Sequence, residues 1–270
     1  MKMRKIALLV LMLPIVTGAG SLLSYGAELA GAQIMQQVDE RNDGDDLIQT
    51  IYQKLIDRRG GLRERHMIAF RKDYGKDSKS ISYFLKPANI RDTALLTYDY
   101  DGTARDDDQW LYLPALKKVR RISASDRGDY FMGTDFTFED IKQTPELGDY
   151  NWTLTGSEMI DGHDCWVVQG VPKTEDLKAN LGYSKTVNYI RKDIDLAIRI
   201  DYWDRKAQEL KHFHAIEVKQ VQGIWTATKV LMENIQTGHK TEIEFSDQQY
   251  NTGLSDRKFS ERMLKRGYRK

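Results

Sequence analysis

The feature that most constrains this chain is an alternation of apolar and polar residues with a period of two. It recurs from about Leu47 to Asn251. The runs "LIQTIYQKLIDRRGG" and "LRERHMIAFRKDYG" read as two strands around a hairpin turn at Gly60-Gly61. "SISYFLKP", "ALLTYDYDG" and "DDDQWLYLP" continue the pattern. So do "NWTLTGSEMIDGHDCWVVQGVP", "TVNYIRKDIDLAIRIDYWDRKAQEL", "HFHAIEVKQVQGIWTATKVLMEN" and "TEIEFSDQQYN". Turn chemistry stands between them at Asp161-Gly162, Arg191-Lys192-Asp193, Asp204-Arg205-Lys206, Gly223 and Thr237-Gly238. About ten or eleven strands at this spacing predict a mainly β protein, built on one large antiparallel sheet that is curled or closed. No repeat, low-complexity tract or Pro/Gly linker divides the chain, so residues 28–270 are expected to form a single domain.

The ends have different patterns. Lys2, Arg4 and Lys5 precede the apolar run "IALLVLMLPIV" and then small residues, which is the layout of an export signal. A cut near Ala27 gives a signal peptide of residues 1–27 and leaves a slightly acidic mature chain with a periplasmic destination. The other reading is an uncleaved anchor, since Ile6–Ala27 carries no charge and is long enough to span a bilayer. Glu28–Asp39 places Leu29, Ala32, Met35 and Val38 on one helical face. Near the C-terminus, "SDRKFSERMLKRGYRK" predicts a short helix starting at Ser255 or Asp256. Cys165 is the single cysteine, so no internal disulfide supports the fold, and it reads as a small apolar strand residue.

One stretch resists the strand pattern. Ser123–Tyr150, "SASDRGDYFMGTDFTFEDIKQTPELGDY", is long for a connection inside a compact domain. It carries Tyr130, Phe131, Met132, Phe136 and Phe138, too many large apolar groups to leave in water. They are expected to pack on the sheet or to cover an opening in it.

The chain offers little to a chemist. It has 41 basic and 40 acidic residues, so there is no global cationic footprint and the expectation is no nucleic-acid partner. No nucleophile-elbow serine motif, zinc-protease helix, phosphate-binding glycine loop or paired-cysteine motif is present. The loop "DERNDGDD" misses the calcium-loop template, with Arg41 and Thr50 where acidic ligands are required. His212 and His214 share one strand face and could bind a metal with Glu217 or His239. Such pairs are more often ordinary polar residues, and Asp106-Asp107-Asp108 is read as a solvated loop. The expectation is therefore no enzyme, no metal and no cofactor.

The stretch "WLYLPALKKVRRIS" poses the functional question. An aromatic strand breaks at Pro114 and turns basic at Lys117, Lys118, Arg120 and Arg121. Trp110 and Tyr112 alternate with Leu111 and Leu113, while Ile81, Tyr83 and Leu85 alternate with Phe84. Both faces of these strands are thus apolar. A curled sheet of this size can enclose either a filled core or a ligand cavity, and periodicity alone does not choose.

The segments "AQIMQQVDERNDGDD", "WLYLPALKKVRRISASDRGDYFMGTDFTFEDI", "DGHDCWVVQGVPK" and "IDYWDRKAQELKHF", in that order, resemble the outer-membrane lipoprotein-sorting proteins of LolA/LolB-like fold. They resemble in particular the branch found beside exporters of the resistance-nodulation-division (RND) type. The resemblance runs from about Ile34 to Phe259. It implies an unclosed antiparallel β-barrel with short helices as a lid over a hydrophobic cavity. It also implies a periplasmic carrier of the acyl chains of lipids or lipoproteins, accessory to an inner-membrane RND-type transporter. The alternative in the same family is a lipid or lipoprotein sensor acting on a membrane regulator. On this reading Tyr83, Leu85, Trp110, Tyr112, Leu113, Phe131, Met132, Phe136 and Phe138 belong to the cavity and lid. Lys117, Lys118, Arg120 and Arg121 then meet head groups or an acidic partner, or are simply a solvated strand end.

Overall fold

The structure is a computed structural model that describes residues 19–102, 105–142 and 145–269. Helix α1, Ala19–Glu40, leads into β1, Asp46–Ile56. The expected export signal lies largely outside the described residues, and α1 continues unbroken through Ala27. An up-and-down run follows with β2 (Leu62–Tyr74), β3 (Asp77–Lys86), β4 (Ala94–Asp99), β5 (Asp108–Leu113) and β6 (Lys118–Ile122). After a long irregular stretch comes a second run. Its strands are β7 (Tyr150–Ile160), β8 (His163–Pro172), β9 (Tyr183–Arg191), β10 (Leu196–Asp204), β11 (Glu209–Val221), β12 (Ile224–Asn234) and β13 (His239–Tyr250), with helix α2 (Glu175–Leu181) between β8 and β9. Helix α3, Glu261–Arg266, ends the chain.

All thirteen strands form one antiparallel sheet in the order β6-β5-β4-β3-β2-β1-β13-β12-β11-β10-β9-β8-β7. The first and last strands join the two runs at a central seam, where Ile51 pairs with Phe245. The sheet stays open, with β6 and β7 as its two edges. The count exceeds the sequence expectation partly because the basic stretch after Pro114 is itself strand β6, paired through Tyr112 and Val119. The predicted turns all separate strands. At Asp161-Gly162 both residues have positive φ, 49° and 82°, the twist that a two-residue hairpin needs.

The open topology fixes the path of the irregular stretch. β6 and β7 are neighbours in sequence but lie at opposite edges, so residues 123–149 must cross the whole sheet. They cross the face on which Phe131, Phe136 and Phe138 enter the main core. The same core takes Ile34, Met35 and Val38 from α1. Helix α1 lies along β7, and a Cβ at Gly31 would meet the Thr153 and Leu154 backbone at 2.8 Å. A covered edge cannot recruit a foreign strand.

The opposite face of β2 to β5 carries a second apolar layer. Phe70, Ile81, Tyr83 and Leu96 pack there against Leu254, Phe259 and Leu264 of the C-terminal segment. Helix α3 starts five residues later than the position expected from Ser255. Its N-cap is Ser260, whose side chain accepts from Met263 N, and the preceding Phe259 is buried with non-helical φ and ψ of −94° and 71°. We predict that Gly31→Val costs about 2 kcal/mol through overpacking against β7, read as a lowered thermal midpoint by circular dichroism.

Candidate functional site

The face crossed by the segment between β6 and β7 holds a partly open cavity of about 440 Å³. Its apolar wall includes Met67, Leu95, Phe131, Phe136, Ile243 and Phe245. Ala69, Ala197 and Ala227 leave the space open where larger side chains would fill it. One end is polar, where Arg41, Asp43, Arg71, Ser80, Asp99 and Lys142 reach the lining. Arg71, Ser80 and Asp99 sit at the end of β2, the start of β3 and the end of β4, which antiparallel pairing brings to one end of the sheet; Arg41 and Asp43 come from the loop before β1, and Lys142 from the crossing segment. Gln53 faces the cavity at 5% exposure, and its Oε1 has no partner among the described residues.

The crossing segment is riveted down by buried charge. Lys211 on β11 is fully buried, and its Nζ lies 2.5 Å from Asp140 Oδ2. It also donates to the Asp135 carbonyl at 2.7 Å. Tyr183 donates to Asp140 at 2.8 Å, and the rings of Tyr130, Tyr183 and Tyr202 surround the ammonium at 5.2–5.4 Å. Burial pulls the Lys211 pKa below the ordinary lysine value, against the opposing pull of Asp140.

Further rivets flank this one. Thr241 donates to Asp135 Oδ2 at 2.7 Å, and His239 Nδ1 lies 2.6 Å from the same oxygen. Arg65 on β2 donates to the Met132 carbonyl at 2.7 Å. Arg127 pairs with Glu139 at 2.8 Å. Lys142 sits among Asp107, Asp99 and Glu139 at 2.6, 3.2 and 3.6 Å. Burial would lower the Lys142 pKa, but Glu139, Asp99 and Asp107 together raise it. Burial pushes the Asp99 carboxyl up to about 7, against the pull of Lys142.

The structure sorts the residues that the sequence singled out. Phe131 and Phe136 line the cavity. Phe138 is buried in the same core, its ring edge-on to Phe131 at 5.6 Å. Met132 and Leu113 pack against that core from its margin. Tyr83, Trp110 and Tyr112 do not face the cavity, contrary to expectation. They point to the other face, under the C-terminal segment, where Tyr83 donates to the Met263 carbonyl at 3.2 Å. Burial pushes the Tyr83 hydroxyl up to about 12. Leu85 is half-buried and joins neither apolar layer. Strand parity explains the split, because Leu111 and Leu113 face inward and Trp110 and Tyr112 must then face outward.

Lys117 and Lys118 stand exposed at the β5–β6 turn. Arg120 pairs with Asp126 at 2.9 Å and Arg121 with Asp108. His212 and His214 share the outer face with their rings 6.4 Å apart, while His239 is engaged by the crossing segment. Among the described residues no group of three or more His, Cys, Asp or Glu is arranged to hold a metal. The rivets were missed in the sequence, although Lys211 shares strand parity with Phe213 and could have been read as pointing inward.

A family model described as "-like: Uncharacterized protein" matches residues 76–266. A DUF1329 family protein from Desulfovibrio piger is 32% identical, covering 88% of this chain and 99% of its own, with a TM-score of 0.83. The chain belongs to the DUF1329 family. A candidate outer-membrane lipoprotein-sorting protein domain from Vibrio parahaemolyticus is also 32% identical over 88% of this chain and 99% of its own, with a TM-score of 0.81. A LolA superfamily protein from Nitrosomonas europaea shares the fold at 19% identity and a TM-score of 0.66, covering 85% of this chain and 97% of its own. No curated protein matches. The DUF1329 chain described here therefore has the LolA-like open sheet that its motifs implied.

Removing one partner of a buried ion pair strands the other and costs about 3–5 kcal/mol, whereas removing both costs less. We predict that Asp140→Leu lowers stability by that order, and that Lys211→Met in the same chain restores part of it. Urea unfolding of the two single variants and the double variant checks this.

Proposed function

We propose that this protein is a periplasmic carrier that takes an acyl chain of a lipid or lipoprotein into the cavity beneath residues 123–149. It performs no catalysis and works with an inner-membrane transporter of the RND type. The observation that carries the reading is the cavity itself, an apolar space walled by both halves of the sheet and roofed by one crossing segment. At about 30 Å³ for a water-sized group, 440 Å³ has room for about fifteen methylene-sized groups, the scale of one long acyl chain. Membership in a family with a relative described as a lipoprotein-sorting domain supports the same reading.

The physical case is direct. Each methylene moved from water into an apolar site contributes about 0.8 kcal/mol, so one long chain represents on the order of 10 kcal/mol. No such chain crosses an aqueous compartment uncovered. A carrier must also let go, and the roof suits that need. Desolvation offsets much of the attraction in a buried ion pair, so lifting Asp140 from Lys211 costs far less than their Coulomb energy when both groups regain water. Cover and release can then share one segment.

Filling the cavity tests the reading. Ala69→Trp and Ala227→Trp put indole rings where the acyl chain would lie. Each should weaken displacement of a fluorescent fatty-acid probe at least tenfold, while the exposed change Lys173→Ala leaves it unchanged. Folded tryptophan variants with undiminished affinity would remove the cavity from the account.

A further inference from the structure

The near-neutral net charge hides an axial separation. Antiparallel pairing assigns every turn to one of two ends of the sheet. The β1–β2, β3–β4, β5–β6, β10–β11 and β12–β13 turns share one end with the β8–β9 connection, and the cations there outnumber the exposed Asp57, Asp92, Glu175 and Asp176. At this end Arg58, Arg59, Arg63, Lys117 and Lys118 are exposed, and none makes an ion pair among the described residues. The C-terminal Arg266 and Arg269 are exposed beside them, since Gly267 sits against Asp92 of the β3–β4 turn. The turns of the opposite end carry exposed Asp101, Asp106, Asp161, Asp164 and Asp193 against exposed Lys76 and Arg105, and Asp101, Asp164 and Asp193 are in ion pairs.

The basic end is also greasy at its tips. Leu62, Leu116 and Ile235 are 53%, 63% and 42% exposed, each at a different turn of this end. Isolated exposed leucines are ordinary. Aliphatic side chains at three turns of one end, set among unpaired cations, are a different pattern. It matches an interfacial surface, in which aliphatic tips enter the head-group region and cations meet lipid phosphates.

The crossing segment meets the same end. Tyr130, 43% exposed, is held by Asn234 at the end of β12, Asp135 by His239 at the start of β13, and Met132 by Arg65 near the start of β2.

From these observations we infer that the end formed by the β1–β2, β5–β6 and β12–β13 turns docks on a bilayer surface rich in anionic lipid. Docking in this way brings the roof of the cavity to the membrane. The inference stands on exposed charge and apolar tips alone, and it holds or fails whatever fills the cavity.

The test is sedimentation of the full chain with vesicles of phosphatidylethanolamine and phosphatidylglycerol, against vesicles of phosphatidylcholine alone. The protein should partition onto the anionic vesicles, and raised salt should release it. Each cation near a membrane surface contributes about fivefold in partition. Lys117→Gln with Lys118→Gln should thus weaken binding about twenty-five-fold. Leu62→Ser with Leu116→Ser should weaken it as well, while Lys76→Gln at the opposite end leaves it unchanged. All these positions are exposed, so the variants keep the fold, as circular dichroism would verify. Equal partition onto both vesicle types, or no loss in the lysine and leucine variants, overturns the inference. So does retention on immobilised heparin without partition onto vesicles, which would assign the end to a non-lipid polyanion.

Discussion

Strands β6 and β7 follow each other in sequence yet form opposite edges of one sheet. Everything distinctive about this protein depends on that constraint. The connection cannot be a tight turn, because it has the width of the sheet to cover. Its route over the inner face lets Phe131, Phe136 and Phe138 leave water without lengthening any strand. Because it is one segment held by side chains rather than a strand in the ladder, it can be lifted without breaking the sheet. A closed barrel would have no such element, and its interior would be sealed by backbone hydrogen bonds.

The rivets beneath that segment have a shared logic. Lys211 reaches up from β11, Arg65 from β2, and Thr241 and His239 from β13. Each binds an atom of residues 132–140, so both halves of the sheet grip the same short stretch. Charge pairs of this kind give position more than net stability, because desolvation offsets their attraction. Apolar contacts alone, through Phe131 and Phe136, would hold the roof without fixing where it lies. The polar end of the cavity, with Arg71 between Asp43 and Asp73 at 3.3 and 2.5 Å, lies away from these rivets at the start of β1. The cavity is therefore amphipathic along its length, as a chain with a polar head requires.

Much of the architecture was legible in the sequence, for identifiable reasons. Period-two alternation and turn residues such as Asp161-Gly162 are local signals, and they located the strands. The excess of aromatics in Ser123–Tyr150 marked the roof, since rings cannot be left in water. Strand faces were less legible. Trp110 and Tyr112 alternate with Leu111 and Leu113, so both faces looked alike, and only the docking of Phe259 and Leu264 on one of them separates the two. The basic run after Pro114 was not legible as a strand because lysine is a poor strand former in isolation. On an edge strand basic residues are expected, where charge discourages pairing with another chain. Lys211 was invisible as a rivet because its partner, Asp140, lies far away in sequence and reaches it only through the crossing.

The central claim is that the cavity holds one acyl chain. The most direct measurement is native mass spectrometry with lipid extraction on the protein purified gently from a periplasmic fraction. The account predicts a co-purifying acylated species at about one per protein chain. It also predicts that the Ala227→Trp protein comes through the same purification empty. Wild-type protein that carries no lipid, and that takes up neither added phospholipid nor acylated peptide, would contradict the account and leave the space under residues 123–149 a packing void.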